Sequence, residues 1–377
     1  MRVVVNAISA RAGGIVTYTR NLAESLKNRN VEALFVISHD FPDLKGVETL
    51  RLWANKLPPA RRVLWEQTIW RETVRRQKPD ILFSSANFGL LRPPSPQVLL
   101  VREGGLFDPF YLVNVAPGFG PKAVFQRIAR RWLILASARA SRLVLTPTAA
   151  MRDLLINWEP RLADKVEVNL YGTKPSLFAS SNRRRRWRQD GILKILYVSA
   201  YYPHKQPGLV AEAVRLMNES GFAAHLTLTM DFDQISLFGG GHRDQFLLES
   251  GVQRNEVSML GNVPYESLAA LYDDHDVFVF PSLSETFGHP LAEAMSMGIP
   301  IVASDTPVHR EVCAGAASYF SPLSALSLAE RFRELDADSK SREARAELGR
   351  ARVENDLTWE AHVDRLLSAF ERARKTS

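Results

Sequence analysis

Short apolar runs alternate with segments of helical hydrophobic spacing along the whole chain. Each run has the length and composition of a buried strand, and each polar-faced segment between runs has the 3.6-residue period of a helix. Strands that alternate with helices predict parallel sheets with helices on both faces. The predicted strands are 2–6, 33–38, 81–84, 98–102, 143–146, 166–170, 192–199, 225–230, 256–260, 277–280 and 301–303.

Polar segments of helical period lie between these strands. Thr148 is a predicted cap for a helix that begins at Ala149, and Gly298 is a predicted helix stop before the last strand. The other predicted helices are 17–27, 126–140, 208–218, 267–272, 291–297, 326–335, 340–355 and 359–374.

The composition changes abruptly near the middle of the chain. Residues 180–186 read Ser-Ser-Asn-Arg-Arg-Arg-Arg, and small polar residues with a run of like charge are typical of a linker. A chain of 377 residues is also long for a single core. We therefore predict an α/β protein with two doubly wound domains, 1–180 and 191–355, joined by a linker at 181–190. A helix over 356–377 can pack back on the first domain.

Cysteine content and hydropathy indicate the compartment. The chain has one cysteine, Cys313, which excludes an internal disulfide and favours a reducing environment. No apolar stretch approaches the roughly 18–20 residues of a membrane span. The first residues also lack the pattern of a signal peptide. The sequence predicts a cytoplasmic protein, with the inner face of the membrane as an alternative location.

Charge is distributed unevenly between the two halves. Residues 1–190 hold 31 Lys and Arg against 15 Asp and Glu, whereas the remainder holds 17 against 26. Basic clusters with tryptophan at 61–78 and 127–139 suit peripheral contact with an anionic membrane, or form solvated helix faces. We expect no nucleic acid partner, because no binding motif accompanies the charge.

The most informative segment is 281–295, Pro-Ser-Leu-Ser-Glu-Thr-Phe-Gly-His-Pro-Leu-Ala-Glu-Ala-Met. It follows a buried strand and opens a helix, with Pro290 in the first turn. Glu285 and Glu293 therefore border the crevice at the carboxyl end of a parallel strand. A helix N-terminus there offers N–H groups to phosphate, and carboxylates accept hydrogen bonds from sugar hydroxyls. This combination predicts a nucleotide-sugar site.

Five segments together resemble the retaining glycosyltransferases of family 4, the glycosyl transferases group 1. They are Gly-Gly-Ile-Val-Thr-Tyr at 13–18, the segment 165–178, Tyr-Pro-His-Lys at 202–205, Leu-Gly-Asn-Val-Pro at 260–264, and the paired-glutamate segment with Gly-Ile-Pro-Ile-Val-Ala-Ser-Asp at 298–305. The resemblance implies the GT-B fold, in which two Rossmann-like domains face each other across a cleft.

The resemblance also implies roles for individual residues. Glu293 would hold the ribose hydroxyls of the donor, Glu285 would contact the transferred sugar, and Val263 would lie near the base. The simpler alternative for Glu293 is a carboxylate that only interacts favourably with the helix dipole. The simpler alternative for Glu285 is a solvated loop residue. The implied donor-binding set is Gly13, Gly14, Lys205, Val263, Glu285, Phe287, Gly288, His289, Leu291 and Glu293.

Three residues are predicted to be catalytic: Glu285, Lys205 and Glu103. A fixed lysine can stabilise the diphosphate leaving group. The family pairs this lysine with an arginine five residues earlier, but Ala200 stands here. Many members also have a histidine in the region of 101–108, which contains none in this chain. Arg102, Glu103 or Asp108 could lie on the acceptor side instead, and we assign proton transfer to Glu103. The alternative is that none of the three is catalytic.

Asp231 and Asp233 resemble the Asp-x-Asp metal site of the other glycosyltransferase fold. We predict no metal and no cofactor, because Lys205 and the helix end already supply positive charge.

The predicted function is transfer of a sugar from a nucleotide-sugar donor to an acceptor hydroxyl, in polysaccharide or lipid-linked glycan synthesis. The alternatives are a catalytically impaired nucleotide-sugar-binding subunit and a nucleotide-sugar epimerase of the same fold.

Overall fold

The computed structural model describes residues 1–10, 14–173, 178, 187–238 and 240–375. Gly13 and residues 181–186 of the predicted linker lie outside this part of the chain. Among the residues that the structure describes, none of the helices combines the length and the apolar character that a membrane span requires.

The chain divides into two compact units. The first comprises Met1–Glu103, Phe125–Leu170 and Glu360–Ser377, and the second comprises Gly104–Val124 and Tyr171–Trp359. This division differs from the predicted boundaries at residues 104–124, which belong to the second unit although they lie within the predicted first domain.

The first unit is built on a parallel sheet whose strands are buried on both faces. Within the described residues, the sheet has seven strands in the order β3-β2-β1-β4-β5-β6-β7. Strand β1 pairs in parallel with both β2 and β4, so the chain winds outward in two directions from the middle of the sheet. The strands are β1 Arg2–Asn6, β2 Glu32–Ser38, β3 Glu48–Leu52, β4 Ile81–Ser84, β5 Gln97–Leu100, β6 Leu143–Thr146 and β7 Val166–Val168.

Six helices connect these strands in the described part of the chain. They are α1 Gly14–Asn28, α2 Pro59–Trp65, α3 Arg71–Gln77, α4 Pro109–Asn114, α5 Gly120–Ala140 and α6 Ala149–Trp158. A π-helical turn, Glu66–Trp70, joins α2 to α3. Thr148 caps α6 as predicted, since its side chain accepts a hydrogen bond from the Met151 N–H.

The second unit repeats the architecture. Its sheet has six parallel strands in the described region, in the order β10-β9-β8-β11-β12-β13. The strands are β8 Leu193–Tyr197, β9 Ala224–Leu228, β10 Val257–Met259, β11 Val277–Phe280, β12 Ile301–Ser304 and β13 Ala317–Phe320. Its helices are α7 Pro207–Glu219, α8 Phe232–Ser236, α9 His242–Gln253, α10 Leu268–Asp274, α11 His289–Met297, α12 Pro307–Cys313, α13 Ala325–Ala337 and α14 Ser339–Asp356. The last helix, α15 Trp359–Lys375, belongs to the first unit from Glu360 onward.

Strand order in this sheet reverses between β8 and β11. The chain runs from β8 outward to β9 and β10, then returns to place β11 on the other side of β8. Loops that leave two such strands diverge, which opens a crevice at their carboxyl ends. The loops after β8 and β11 are those that carry Lys205 and Glu285.

Several elements were not predicted from the sequence. Strand β3 lies at a sheet edge and its first residues are exposed, so it has no continuous apolar run. Strand β13, Ala-Ser-Tyr-Phe, also lacks a continuous buried apolar run, because its two central residues are partly exposed. The helices α2 and α3 lie in a segment that we interpreted only as a basic cluster, and α9 was not predicted at all.

Helix α15 packs against the first sheet. The Phe370 ring, which is fully buried, lies 5.2 Å from the ring of Phe83 on β4. The imidazole of His362 contacts the Leu170 carbonyl at 2.9 Å and the Tyr18 hydroxyl at 3.2 Å. The end of the chain is therefore part of the core of the first unit.

Replacing Phe370 with alanine should lower the free energy of unfolding by about 3–5 kcal/mol, because the change leaves a cavity beside Phe83. Thermal and urea unfolding would measure it. Ser368→Ala, at an exposed position of the same helix, is the control and should have little effect. Equal stability of the two variants would show that α15 does not support this core.

Candidate functional site

Lys205 and Glu285 meet at the carboxyl ends of β8 and β11. Lys205 ends the short 3-10 turn Pro203–Lys205, whereas Glu285 lies in the loop between β11 and α11. The Lys205 ammonium forms an ion pair with Glu285 Oε1, and the two side chains are only 13% and 14% exposed. The structure thus brings together two residues that are 80 positions apart in the sequence.

The ion pair determines the ionisation of Glu285. Burial alone would favour the neutral acid, but the charges of Lys205 and His204 and the hydrogen bonds from Lys205 and Ser282 outweigh it. The pKa of Glu285 is lowered to about 2. Glu285 is therefore a carboxylate at neutral pH, able to accept hydrogen bonds but not to act as an acid.

Glu293 is buried in a different environment. It lies near the start of α11 and is 5% exposed. Its Oε1 accepts a hydrogen bond from the Tyr265 hydroxyl and its Oε2 accepts one from the Tyr272 hydroxyl, each at 3.2 Å. Burial raises its pKa to about 7, although both phenols favour the charged form. Glu293 thus titrates close to physiological pH.

Tyr265 and Tyr272 were missed as functional residues in the sequence analysis. Burial and the neighbouring Glu293 raise the pKa of both phenols, which keeps them protonated as donors. The Phe178 ring packs edge-on against both, with centroids 5.4 and 5.9 Å away. No local pattern marks their contact with Glu293, because Tyr265 lies in the 3-10 turn Tyr265–Ser267 and Tyr272 lies in α10.

The turn between the two glutamates has a left-handed backbone at Gly288. Its φ is +84°, and an added Cβ would approach the Phe280 ring and Leu291 at 3.1 Å. The turn presents the first N–H groups of α11, a nine-residue helix that contains Pro290 in its first turn as predicted. Glycine at 288 is therefore required by both backbone conformation and space.

Three predicted donor-binding residues around this turn have packed side chains. Phe287 and Leu291 are buried, and the Leu291 N–H donates to the Gly288 carbonyl at 2.9 Å. The His289 ring stacks on Tyr171 with centroids 5.1 Å apart. The buried Leu291 side chain packs against the turn. It is apolar and has no polar group that could bind a ligand.

A buried polar network lies beneath the Glu285 loop. The Ser304 hydroxyl donates to the Ser282 carbonyl at 2.5 Å, and His309 Nδ1 lies 2.9 Å from the Ser304 carbonyl. Because a carbonyl only accepts, Nδ1 carries the proton. Burial lowers the pKa of His309 to about 4, so the ring is neutral. The network ties α12 to the segment that holds Glu285.

Val263 lies in the loop after β10, two positions before Tyr265. The loop turns at Gly261, whose φ is +68°. Val263 is thereby close in sequence to a tyrosine that holds Glu293. Ala200, which stands where the family has an arginine, is exposed in the loop after β8 and brings no charge to the site.

The remaining predicted site residues lie in the first unit. Gly14 is exposed at the start of α1, and an added Cβ would meet nothing within 4 Å. Glu103 accepts hydrogen bonds from Arg130 at 2.5 Å and from the Asn87 amide at 3.3 Å. Glu103 is therefore already engaged by a cation.

Asp231 has a structural role in this fold. Its carboxylate caps α8 by accepting from the Gln234 N–H at 2.8 Å. Across the described part of the chain, no group of three or more His, Cys, Asp or Glu side chains is placed to hold a metal ion.

Solved structures of the same architecture cover nearly the entire chain. Sucrose-phosphate synthase from Thermosynechococcus elongatus superposes with a TM-score of 0.79 at 18% identity over 100% of both chains. HepE of Anabaena in complex with UDP-glucose gives 0.72 at 17% identity, over 99% of this chain and 100% of that one. The fold is thus GT-B, the two-domain class of glycosyltransferase folds.

Family models match both halves. A glycosyl transferase 4-like domain matches residues 13–172, and the glycosyl transferases group 1 model matches residues 181–352. The chain belongs to the glycosyl transferases group 1 family. The O-antigen chain mannosyltransferase RfbU of Salmonella typhimurium is 24% identical over 212 residues, which span 55% of each chain. The match therefore covers about half the length of that relative.

The raised pKa of Glu293 predicts a cost to stability at neutral and higher pH. The folded state holds the proton up to about pH 7, whereas the ordinary pKa is 4.5, so stability falls as pH rises between these values. Glu293→Gln removes this titration. The variant should melt at a higher temperature than wild type at pH 8, and the advantage should shrink toward pH 4.5.

Thermal unfolding across this pH range would test the prediction. Glu330→Gln, at an exposed position on α13, is the control for loss of one carboxylate. A Glu293→Gln variant that is equally destabilised at every pH would show that the pKa of Glu293 is the same in the folded and unfolded states, so that burial does not raise it.

Proposed function

We propose that the protein is a retaining glycosyltransferase that moves a sugar from a nucleotide-sugar donor to an acceptor hydroxyl. The observation that carries the proposal is the buried Lys205–Glu285 pair at the carboxyl ends of β8 and β11, followed in the chain by the buried Glu293 near the N-terminus of α11. Such a set matches the parts of a nucleotide sugar: hydroxyl groups on both sides of a diphosphate.

The donor is expected to bind to the second unit. Glu293, which two tyrosines orient, would accept from the ribose hydroxyls, and the anionic Glu285 would accept from hydroxyls of the transferred sugar. The first N–H groups of α11 would bind the diphosphate. The complex of HepE with UDP-glucose supports this class of ligand, since HepE has the same fold.

Lys205 would stabilise the leaving group. As the bond between the anomeric carbon and the diphosphate oxygen breaks, negative charge develops on that oxygen, and a fixed ammonium lowers the barrier. The ion pair with Glu285 holds Lys205 in position before the donor arrives. The new bond forms between the anomeric carbon and the acceptor oxygen, whose proton must be removed.

Proton transfer is assigned to Glu103, as the sequence analysis proposed. Its side chain pairs with Arg130 and lies in the segment 101–108, where the family has a histidine. Retention at the anomeric carbon is the outcome that family membership supports.

The acceptor is proposed to be a growing polysaccharide or a lipid-linked glycan. The names of curated relatives support this choice: RfbU acts on an O-antigen chain, and a phosphatidyl-myo-inositol mannosyltransferase of Mycobacterium leprae is 28% identical over 80% of this chain. We place the protein in the cytoplasm, in peripheral contact with the inner face of the membrane.

A second candidate is a binding subunit that has lost turnover. Ala200 and the missing histidine at 101–108 favour it. Incubation with a panel of nucleotide sugars separates the candidates: a transferase releases nucleoside diphosphate faster when acceptor is present, an epimerase isomerises donor without acceptor, and a binding subunit does neither.

Lys205→Ala should lower turnover about 100-fold or more, because it removes the charge opposite the leaving group. Turnover at saturating donor would measure this, with thermal unfolding as a check on folding. Lys194→Ala is the control, since Lys194 on β8 is 46% exposed and pairs with Asp190 in the turn before that strand. Wild-type turnover in the Lys205 variant would remove this lysine from the mechanism.

Turnover should be independent of divalent metal ions, because the proposed leaving-group stabilisation uses Lys205 and backbone N–H groups. Activity would be compared before and after treatment with a chelator, and again after adding magnesium or manganese. Loss of activity with the chelator and recovery with metal would assign Asp231 and Asp233 a role that we deny them.

A further inference from the structure

Helix α5 exposes a stripe of large apolar side chains between Phe125 and Trp132. Phe125, Ile128 and Trp132 are 72%, 51% and 60% exposed. Their spacing of three and four residues places them on one helical face. The opposite face is anchored to the first unit through Ile134 and Ala138, which are fully buried. The stripe is therefore presented outward on a fixed helix.

The same helix carries only positive charge. Residues 120–152 contain no Asp or Glu, and α5 itself contains Lys122, Arg127, Arg130, Arg131 and Arg139. Two of these cations are paired with acids from elsewhere, Arg130 with Glu103 and Arg139 with Glu159. The stripe thus lies on a helix with a net positive field.

An exposed tryptophan extends the apolar surface beside the helix. The Arg131 guanidinium lies over the Trp158 ring, 3.7 Å from its centroid, and Trp158 is 41% exposed. Tryptophan and arginine are the side chains that suit the boundary between lipid head groups and acyl chains, because each combines an apolar body with a polar end.

The other basic cluster of the first unit is different. Arg75 and Arg76 pair with Glu72 of the same helix, and Arg62 pairs with Glu66. Much of its positive charge is therefore matched locally, and one of its tryptophans, Trp70, is buried. The structure distinguishes two segments that look alike in sequence.

We infer that the Phe125–Ile128–Trp132 face of α5 docks the protein on an anionic lipid bilayer. The apolar side chains enter the boundary region, and the arginines attract the anionic head groups. The inference rests on the proposed function, which places the acceptor at a membrane, and it names the surface that makes the contact. A bilayer is favoured over an acidic protein because exposed apolar side chains flanked by tryptophan and arginine suit the boundary between head groups and acyl chains.

Sedimentation with lipid vesicles tests the inference on the full chain. The variant carries Phe125→Ser, Ile128→Ser and Trp132→Ser together. Because these positions are exposed, the variant should fold, as circular dichroism would verify. Wild type should bind vesicles that contain an anionic lipid and bind weakly to zwitterionic vesicles. The variant should lose about tenfold or more of the association with anionic vesicles.

A matched control replaces three exposed apolar residues of the same unit outside α5. Trp53, Leu64 and Ile69 are 53%, 66% and 58% exposed, and their triple serine variant should bind anionic vesicles like wild type. Equal losses in the two triple variants would overturn the assignment of α5. Unchanged binding in the α5 variant, or equal binding of wild type to neutral vesicles, would do the same.

Nucleotide release from the donor with a water-soluble acceptor separates this inference from the proposed function. The α5 variant should retain this activity while losing vesicle association. If wild type binds anionic vesicles but releases no nucleotide, the proposed function fails and the docking surface stands. If self-association of wild type disappears in the variant instead of vesicle binding, the face is an interface between copies and the inference is wrong.

Discussion

Burial of two carboxylates at one edge of a parallel sheet is the constraint on which the second unit depends. A buried carboxylate is unfavourable unless it is paired or protonated. The structure accommodates the carboxyl groups of Glu285 and Glu293 in different ways. Lys205 keeps Glu285 charged, with a pKa of about 2. Burial raises the pKa of Glu293 to about 7, although two phenols donate hydrogen bonds to it. The segment between β11 and the first turns of α11 therefore holds both a carboxylate and an acid that titrates near neutral pH.

The charged groups of this site come from separate segments of the chain, which the fold brings together. Lys205 follows β8 and Glu285 follows β11, and the two strands are neighbours because the chain returns past β8 after building β9 and β10. The parallel direction brings both loops to the same end of the sheet. The buried contact between Ser304 and Ser282 then supports the Glu285 loop from β12.

Much of this arrangement could be predicted from the sequence, because it depends on residues that are close together in the chain. The apolar runs predicted most strands, and the spacing of Glu285, Pro290 and Glu293 predicted a helix that opens beside a carboxylate. The partners of Glu293 were not predictable in the same way. Tyr265 and Tyr272 contact it across 28 and 21 residues, and nothing in their own segment identifies that contact. Edge strand β3 was missed because half-exposed strands lack a continuous apolar pattern.

A crystal structure of the protein with a bound nucleotide sugar tests the central claim most directly. We expect ribose hydroxyls within hydrogen-bond distance of Glu293, sugar hydroxyls at Glu285, and the diphosphate at Lys205 and the first turn of α11. A nucleotide sugar bound elsewhere, with the Lys205–Glu285 pair and the tyrosine contacts of Glu293 untouched, would contradict it.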